Sequence, residues 1–185
     1  MHRYFVLSSF IVLGIAFLGV LISHRMRGHE FMGKPPLRKS LFILGKICVF
    51  GSWLFFLLKA VFPSIGYIPV PEFLSWTATA VLIPAILIFV ISFFQLGTAL
   101  KMGLPNESTT LRTSGLYRFS RNPIYAAVFM MFFASLMYFP DPLNFCLAII
   151  GTIIHYRTTL SEEKFLLQRF GSEWTMYTSR TRRYL

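Results

Sequence analysis

Two polar segments hold most of the side chains that could do chemistry. The first reads Thr109-Thr110-Leu111-Arg112-Thr113-Ser114-Gly115-Leu116-Tyr117-Arg118-Phe119-Ser120-Arg121-Asn122-Pro123-Ile124-Tyr125. Gly115 permits a turn with positive φ. Asn122-Pro123 predicts a helix start, with Asn as N-cap and Pro at the first helical position. The free N–H groups and positive dipole end of such a helix suit an anion, and Tyr117 and Tyr125 put aromatic faces beside it. The same residues also suit a plain helix start at a membrane interface, where Arg and Tyr act as anchors. The second segment begins Thr158-Thr159-Leu160-Ser161-Glu162-Glu163-Lys164. Adjacent carboxylates on a helix point about 100° apart, so one faces a pocket while the other faces water. Thr159 and Glu162 also have capping-box spacing, a purely structural use. Phe165–Phe170 then reads as a short amphipathic helix lying on the membrane surface and closed by Gly171, with Trp174, Tyr177 and Tyr184 suited to that interface.

The elements around these segments are membrane spans. The chain has 185 residues, 55% hydrophobic and only 14% charged, with 21 Phe. A soluble domain carries about 25% charged residues, so the composition excludes a water-soluble globule and disorder alike. Five apolar stretches run Tyr4–Ile22, Leu41–Phe62, Phe73–Phe94, Ile124–Phe139 and Leu143–Tyr156. The first three approach the ~20 residues that cross a hydrocarbon core. The last two give only ~24 and ~21 Å at the helical rise, so their helices are expected to run on into the flanking residues. Pro140-Asp141-Pro142 joins them into a helical hairpin. Lys46 and Lys59 fall inside the second stretch and are expected to snorkel to its two ends. The first stretch is too long for a signal-peptide core and is read as a retained span.

Charge sets the orientation. Of 18 Lys and Arg, five lie in Ser23–Ser40, four in Gln95–Pro123 and six from Arg157 onward. The loops Pro63–Glu72 and Pro140–Pro142 have none. This alternation predicts an all-α polytopic protein of about five transmembrane helices, N-terminus outside, with a cytoplasmic C-terminal helical tail. It also accounts for the net charge of +11 without a nucleic-acid partner. Residues 1–185 form one membrane domain: 1–95 hold three N-terminal spans, and 96–185 hold the polar segments and the hairpin.

Other chemistries have little support. Cys48 and Cys146 lie in apolar runs, without disulfide or zinc spacing. His24 and His29 are off the spacing of a one-face metal pair, and no metal is expected. His155 ends the last span and borders the polar region, but it, like His2, is read as interfacial.

The pattern resembles the isoprenylcysteine carboxyl methyltransferase and phospholipid methyltransferase families. It is carried by Thr113-Ser114-Gly115-Leu116-Tyr117, Arg121-Asn122-Pro123-Ile124-Tyr125, Glu162-Glu163, Phe170-Gly171 and Tyr177. The resemblance covers roughly Thr109 to Tyr177. It implies S-adenosylmethionine binding without a Rossmann fold, in a pocket open to the cytoplasm that a lipid-like or small-molecule acceptor enters from the bilayer. By position, Thr109, Thr110, Leu111, Arg112, Tyr117, Asn122, Pro123, Ile124, Tyr125 and Glu162 line the cofactor pocket. Arg157 and Glu163 are the candidate catalytic residues. The families' usual His is Asn122 here, which cannot act as a general base. The carboxyl methyltransferases' Arg, four residues before the Glu matched by Glu162, is Thr158, with Arg157 adjacent.

A carboxylate acceptor arrives ionised, whereas an amine must lose a proton. With Asn122 in place of His, His155 is the one imidazole left near the pocket that could act as a base; with Arg121 and Arg157 able to steer an anion, the expectation leans to carboxyl O-methylation. The alternatives are phospholipid N-methylation, an NADPH-dependent reductase of sterol-reductase type using Arg112, Arg118 and the Arg180–Arg183 stretch, and a non-catalytic scaffold. Short loops and compact size look prokaryotic, which implies an inner membrane.

Overall fold

A computed structural model describes residues 1–26, 33–97, 103–104 and 110–185. Among these residues six α-helices follow one another: α1 His2–Met26, α2 Lys39–Val61, α3 Glu72–Leu96, α4 Pro123–Tyr138, α5 Pro142–Phe170 and α6 Ser172–Arg180. A 3-10 turn, Gly115–Arg118, precedes α4. The architecture is that of an all-α membrane protein. Helices α1, α2 and α3 are each long and apolar enough to cross a bilayer, with mean hydropathies of 2.7, 2.2 and 2.4. Helix α4 is apolar but stops after 16 residues, because Pro140 and Pro142 cannot continue it.

Helix α5 corrects two expectations. It runs unbroken for 29 residues, about 43 Å, from the apolar hairpin into the polar segment. The stretch Phe165–Phe170 is therefore its last turns and not a separate surface helix. Nor does a helix start at Thr159: its hydroxyl donates to the His155 carbonyl at 3.0 Å, so the capping role for Glu162 falls. The break comes at Gly171, where φ is 51°.

Helix α4 packs mainly on α3, α2 on α5, and α1 on α3. Two glycines let α2 and α5 approach closely. A Cβ on Gly45 would come within 2.8 Å of Ile154 Cγ2, and one on Gly151 within 3.0 Å of Cys48 Cβ. In lipid, close packing and polar contacts replace the hydrophobic effect as the glue between helices. Deep in the bundle, Ser52 donates to Asn144 Oδ1 at 2.9 Å. Asn144 Nδ2 donates to the Phe139 carbonyl at 2.9 Å and to Ser135 Oγ at 3.0 Å. This satisfied network ties α2, α4 and α5 together at the hairpin end.

The polar segments come together at the other end. The backbone of Arg121 donates to the Arg182 carbonyl at 2.8 Å, and Lys34 and Leu104 exchange two bonds of 2.8 Å. Ser161 on α5 donates to the Pro36 carbonyl at 2.7 Å. Lys59 behaves as expected of a residue at a span's end, donating to the Pro63 and Ile65 carbonyls at 2.7 Å each.

Candidate active site

One cavity of about 440 Å³ lies among α1 to α6, with two kinds of wall. Its polar end is lined by Thr110, Leu111, Arg112, Tyr117, Arg121, Asn122, Tyr125 and Glu162, and by Trp174 and Tyr177 of α6. Its apolar arm reaches one to two helical turns further along α1, α2 and α3, between Leu13, Gly14, Phe17, Phe50, Trp53 and Phe93. Trp53 Nε1 is buried beside this arm without a hydrogen-bond partner among the described residues.

The local sequence explains how the polar wall is held. Gly115 has φ 64°, as its turn requires. The Gln95 side chain at the end of α3 packs on that glycine and accepts the Leu116 N–H at 2.8 Å. Tyr117 is thereby turned inward and buried, its hydroxyl donating to the Ser92 carbonyl at 3.4 Å. The Tyr177 hydroxyl donates to the Tyr117 carbonyl, fastening α6 to the same turn. Burial, with Tyr177 and Glu162 close by, holds the Tyr117 phenol above its ordinary value, so it is a neutral donor.

Glu162 lies on the polar part of α5, beyond the apolar stretch that ends at Tyr156. The Tyr125 hydroxyl donates to its Oε1 at 2.9 Å, joining α4 to α5 across the cavity. Burial pushes the Glu162 carboxyl up to about 7, against the opposing effects of the Tyr125 hydrogen bond and the Lys46 charge. Among the described residues only the Tyr125 bond occupies Glu162, which leaves acceptor capacity toward the cavity.

Glu163 does something else. Its Oε2 takes Arg183 Nη2 at 2.9 Å and Nε at 3.0 Å. Its Oε1 takes Asn122 Nδ2 at 2.9 Å and lies 3.4 Å from Arg121 Nε. Asn122 also donates to the Arg183 carbonyl at 3.3 Å. This cluster fastens residues 181–183 to the start of α4. Asn122 does sit at the N-cap position, with Pro123 first in the helix, but its side chain makes no cap bond; it faces Glu163 instead.

The expected residues therefore separate. Thr110, Leu111, Arg112, Tyr117, Asn122, Ile124, Tyr125 and Glu162 all line the cavity. Pro123 is buried behind them and Glu163 is held in its arginine cluster, so neither reaches the cavity. Arg157 is exposed on α5 and faces away from it. Thr109 lies outside the described residues.

Among the lining residues not assigned to the site from the sequence are Lys46, Trp53 and Trp174, and Tyr177 entered only through the family pattern. The two aromatics of α6 were read as interfacial. Lys46 was expected to snorkel, but lines the cavity with its ammonium 5.0 Å from the Phe42 ring centroid. His155, read as interfacial, is buried and lines the cavity as well. The signal was present for both, since an ionisable group inside an apolar span marks a functional site by default.

Membrane helices around a cavity that is polar at one end and lipid-like at the other suit an enzyme that brings a water-soluble reactant to a bilayer component. The chain matches the phospholipid methyltransferase family over residues 73–173, from the start of α3 to the start of α6, and belongs to that family. No curated protein matches it. Its activity class is that of a membrane methyltransferase.

Proposed function

We propose that the protein transfers the methyl group of S-adenosylmethionine to the headgroup of an amphipathic lipid. The observation that carries this reading is the continuity of the cavity, from the Tyr125–Glu162 pair to the aromatic arm between α1, α2 and α3. The residues present fit the cofactor. Glu162 has acceptor capacity for an amino group or ribose hydroxyl. Lys46 and Arg112 offer cations for a carboxylate. Tyr117, Trp174 and Tyr177 offer faces for an adenine or a sulfonium. When bound, the cofactor supplies an electrophilic methyl on a good leaving group, so the protein's work is positioning and exclusion of water.

The apolar arm takes an acyl or isoprenoid chain. The acceptor favoured is a phospholipid with an amine headgroup. Carboxyl O-methylation leaned on Arg121 and Arg157 to steer the acid; Arg121 lines the cavity, but Arg157 lies outside it. Lys46 and Arg112 would serve a carboxylate as well as a phosphate, so O-methylation stands as the second reading. The expected setting is a bilayer with the polar end facing the cytoplasm.

Titration of the purified protein with S-adenosylhomocysteine and with NADPH tests the cofactor; binding of NADPH alone would sink the reading. Labelled methyl transfer into a lipid extract then tests the acceptor, because N-methyl label survives alkali and methyl-ester label does not. Arg157→Ala is expected to change neither binding nor transfer by more than about twofold. A tenfold drop in kcat/KM for the acceptor would restore the carboxylate reading.

A further inference from the structure

The cavity contains an imidazole with a fixed tautomer. His155 sits on α5, 5% exposed, and its Nδ1 is 2.8 Å from the Gly151 carbonyl oxygen. A carbonyl only accepts, so Nδ1 carries the hydrogen and Nε2 keeps the lone pair. The ring is held on three sides. The Tyr125 and Phe132 rings of α4 stand 5.9 and 6.4 Å away, centroid to centroid. Cε1 faces Gly45 of α2, where a Cβ would lie 3.2 Å from it. Nε2 has no hydrogen-bond partner among the described residues.

We propose that His155 Nε2 is the catalytic proton acceptor for the nitrogen that receives the methyl group. This rests on the amine reading above. The other polar groups at the site are committed. Tyr117 and Tyr177 donate to carbonyls, Tyr125 donates to Glu162, and Glu162 is assigned to the cofactor. Lys46 is a donor with no lone pair while charged. The charged and titratable groups beside the imidazole are Lys46 from α2 and Tyr125 from α4; Glu162 lies two turns further along α5.

In the step, an N–H bond of the ammonium headgroup breaks and its proton goes to Nε2. The freed nitrogen pair forms a bond to the methyl carbon of the sulfonium donor. The carbon–sulfur bond breaks with its electron pair left on sulfur. The imidazolium then returns its proton to water at the polar mouth. A carboxylate acceptor would need none of this.

The test compares wild type, His155→Gln and Gly45→Ala in detergent, with labelled methyl donor and a phospholipid extract rich in phosphatidylethanolamine. Removing a positioned proton acceptor lowers rates about 10²–10⁴-fold, so His155→Gln should lose at least a hundredfold in alkali-stable label. Its S-adenosylhomocysteine affinity should stay within about twofold, and the rising limb of kcat against pH should flatten. Gly45→Ala, which crowds the ring without removing it, should lower kcat with cofactor affinity retained, and decides the matter if His155→Gln fails to fold. Transfer by His155→Gln within threefold of wild type overturns the role, as does a parallel loss of cofactor affinity and rate. Alkali-labile label overturns it together with the amine reading but leaves the cofactor assignment standing. Wild-type protein that fails to bind S-adenosylhomocysteine sinks the proposed function itself.

Discussion

The Tyr125 hydroxyl and the Glu162 carboxylate meet at 2.9 Å between the first turn of one helix and the sixth turn of the next. Nothing nearby in sequence links them, since they lie 37 positions apart. Their contact closes the hairpin of α4 and α5 at its polar end, as Ser135 and Asn144 close it at the other. Glu162 is thus held by one oxygen and offers the other.

That geometry gives a pH dependence. The Glu162 carboxyl titrates at about 7 instead of the ordinary 4.5. If its ionised form holds the cofactor, S-adenosylhomocysteine affinity should rise as pH climbs through 6 to 8 and level off above. Stability runs the other way. The folded chain keeps a proton that the unfolded chain releases above pH 4.5, so this group's contribution falls as pH rises toward 7. Glu162→Gln should remove the pH dependence and weaken binding roughly tenfold to a hundredfold, as expected for a lost charge-assisted contact. Calorimetric titration at three pH values checks both; a flat profile in the wild type would exclude Glu162 from cofactor binding.

Its neighbour should behave oppositely. Glu163 holds Arg183, Arg121 and Asn122 with a side chain only 12% exposed. Glu163→Gln should lower thermal stability in detergent by about 1.5–3 kcal/mol, while kcat of the cofactor-saturated enzyme changes little. Glu163→Asp should recover part of the loss. A selective fall in kcat with unchanged Tm would return Glu163 to a chemical role.

The apolar arm has an adjustable wall. Gly14 lines it, and a Cβ there would meet nothing within 4 Å. Gly14→Leu should therefore fill the arm without clash and shift preference toward shorter chains. Each methylene excluded forfeits about 0.8 kcal/mol, roughly fourfold in kcat/KM. Labelling of lipids with short and long chains reads this directly; an unchanged ratio would mean the chain lies elsewhere.

Topology is testable by reporters. A fusion after Leu185 should report the cytoplasm and an insertion at Pro69 the opposite side, as the basic loops demand. The same side for both would break the five-span arrangement, in which α4 and the apolar half of α5 cross as a pair.

Helices were legible where apolar runs were long. The stretches Tyr4–Ile22 and Leu41–Phe62 foresaw α1 and α2 to within a few residues. The polar wall was legible too, because Gly115, Tyr117 and Asn122-Pro123 encode a turn and a helix start locally. The length of α5 was not, since Thr158, Thr159 and Ser161 look like a helix beginning. Only the packed structure shows Thr158 and Thr159 turned back onto the carbonyls one turn earlier. Lys46 and His155 were visible as oddities in apolar runs. Their convergence on one cavity depends on α2 lying against α5, which no local pattern records. The cluster that holds Glu163 was not legible because its partners lie 41 positions back and 20 ahead.

The glycines that let α2 meet α5 also bear on how this protein could be engineered. Replacing glycine by alanine inside a helix ordinarily adds ~0.5–1 kcal/mol, and a consensus-minded stabilisation campaign would begin there. At Gly45 the added carbon would press on the His155 ring, and at Gly151 it would meet Phe132 and Cys48, tilting the carbonyl that selects the tautomer. At Gly19 it would meet nothing. Thermal tolerance and proton affinity are thus set by the same atoms in one pair of helices and by different atoms in the first. A hardier variant that keeps its chemistry should be sought along α1, because the same exchange at Gly45 or Gly151 would strain the packing of α2 on α5 and disturb the imidazole together.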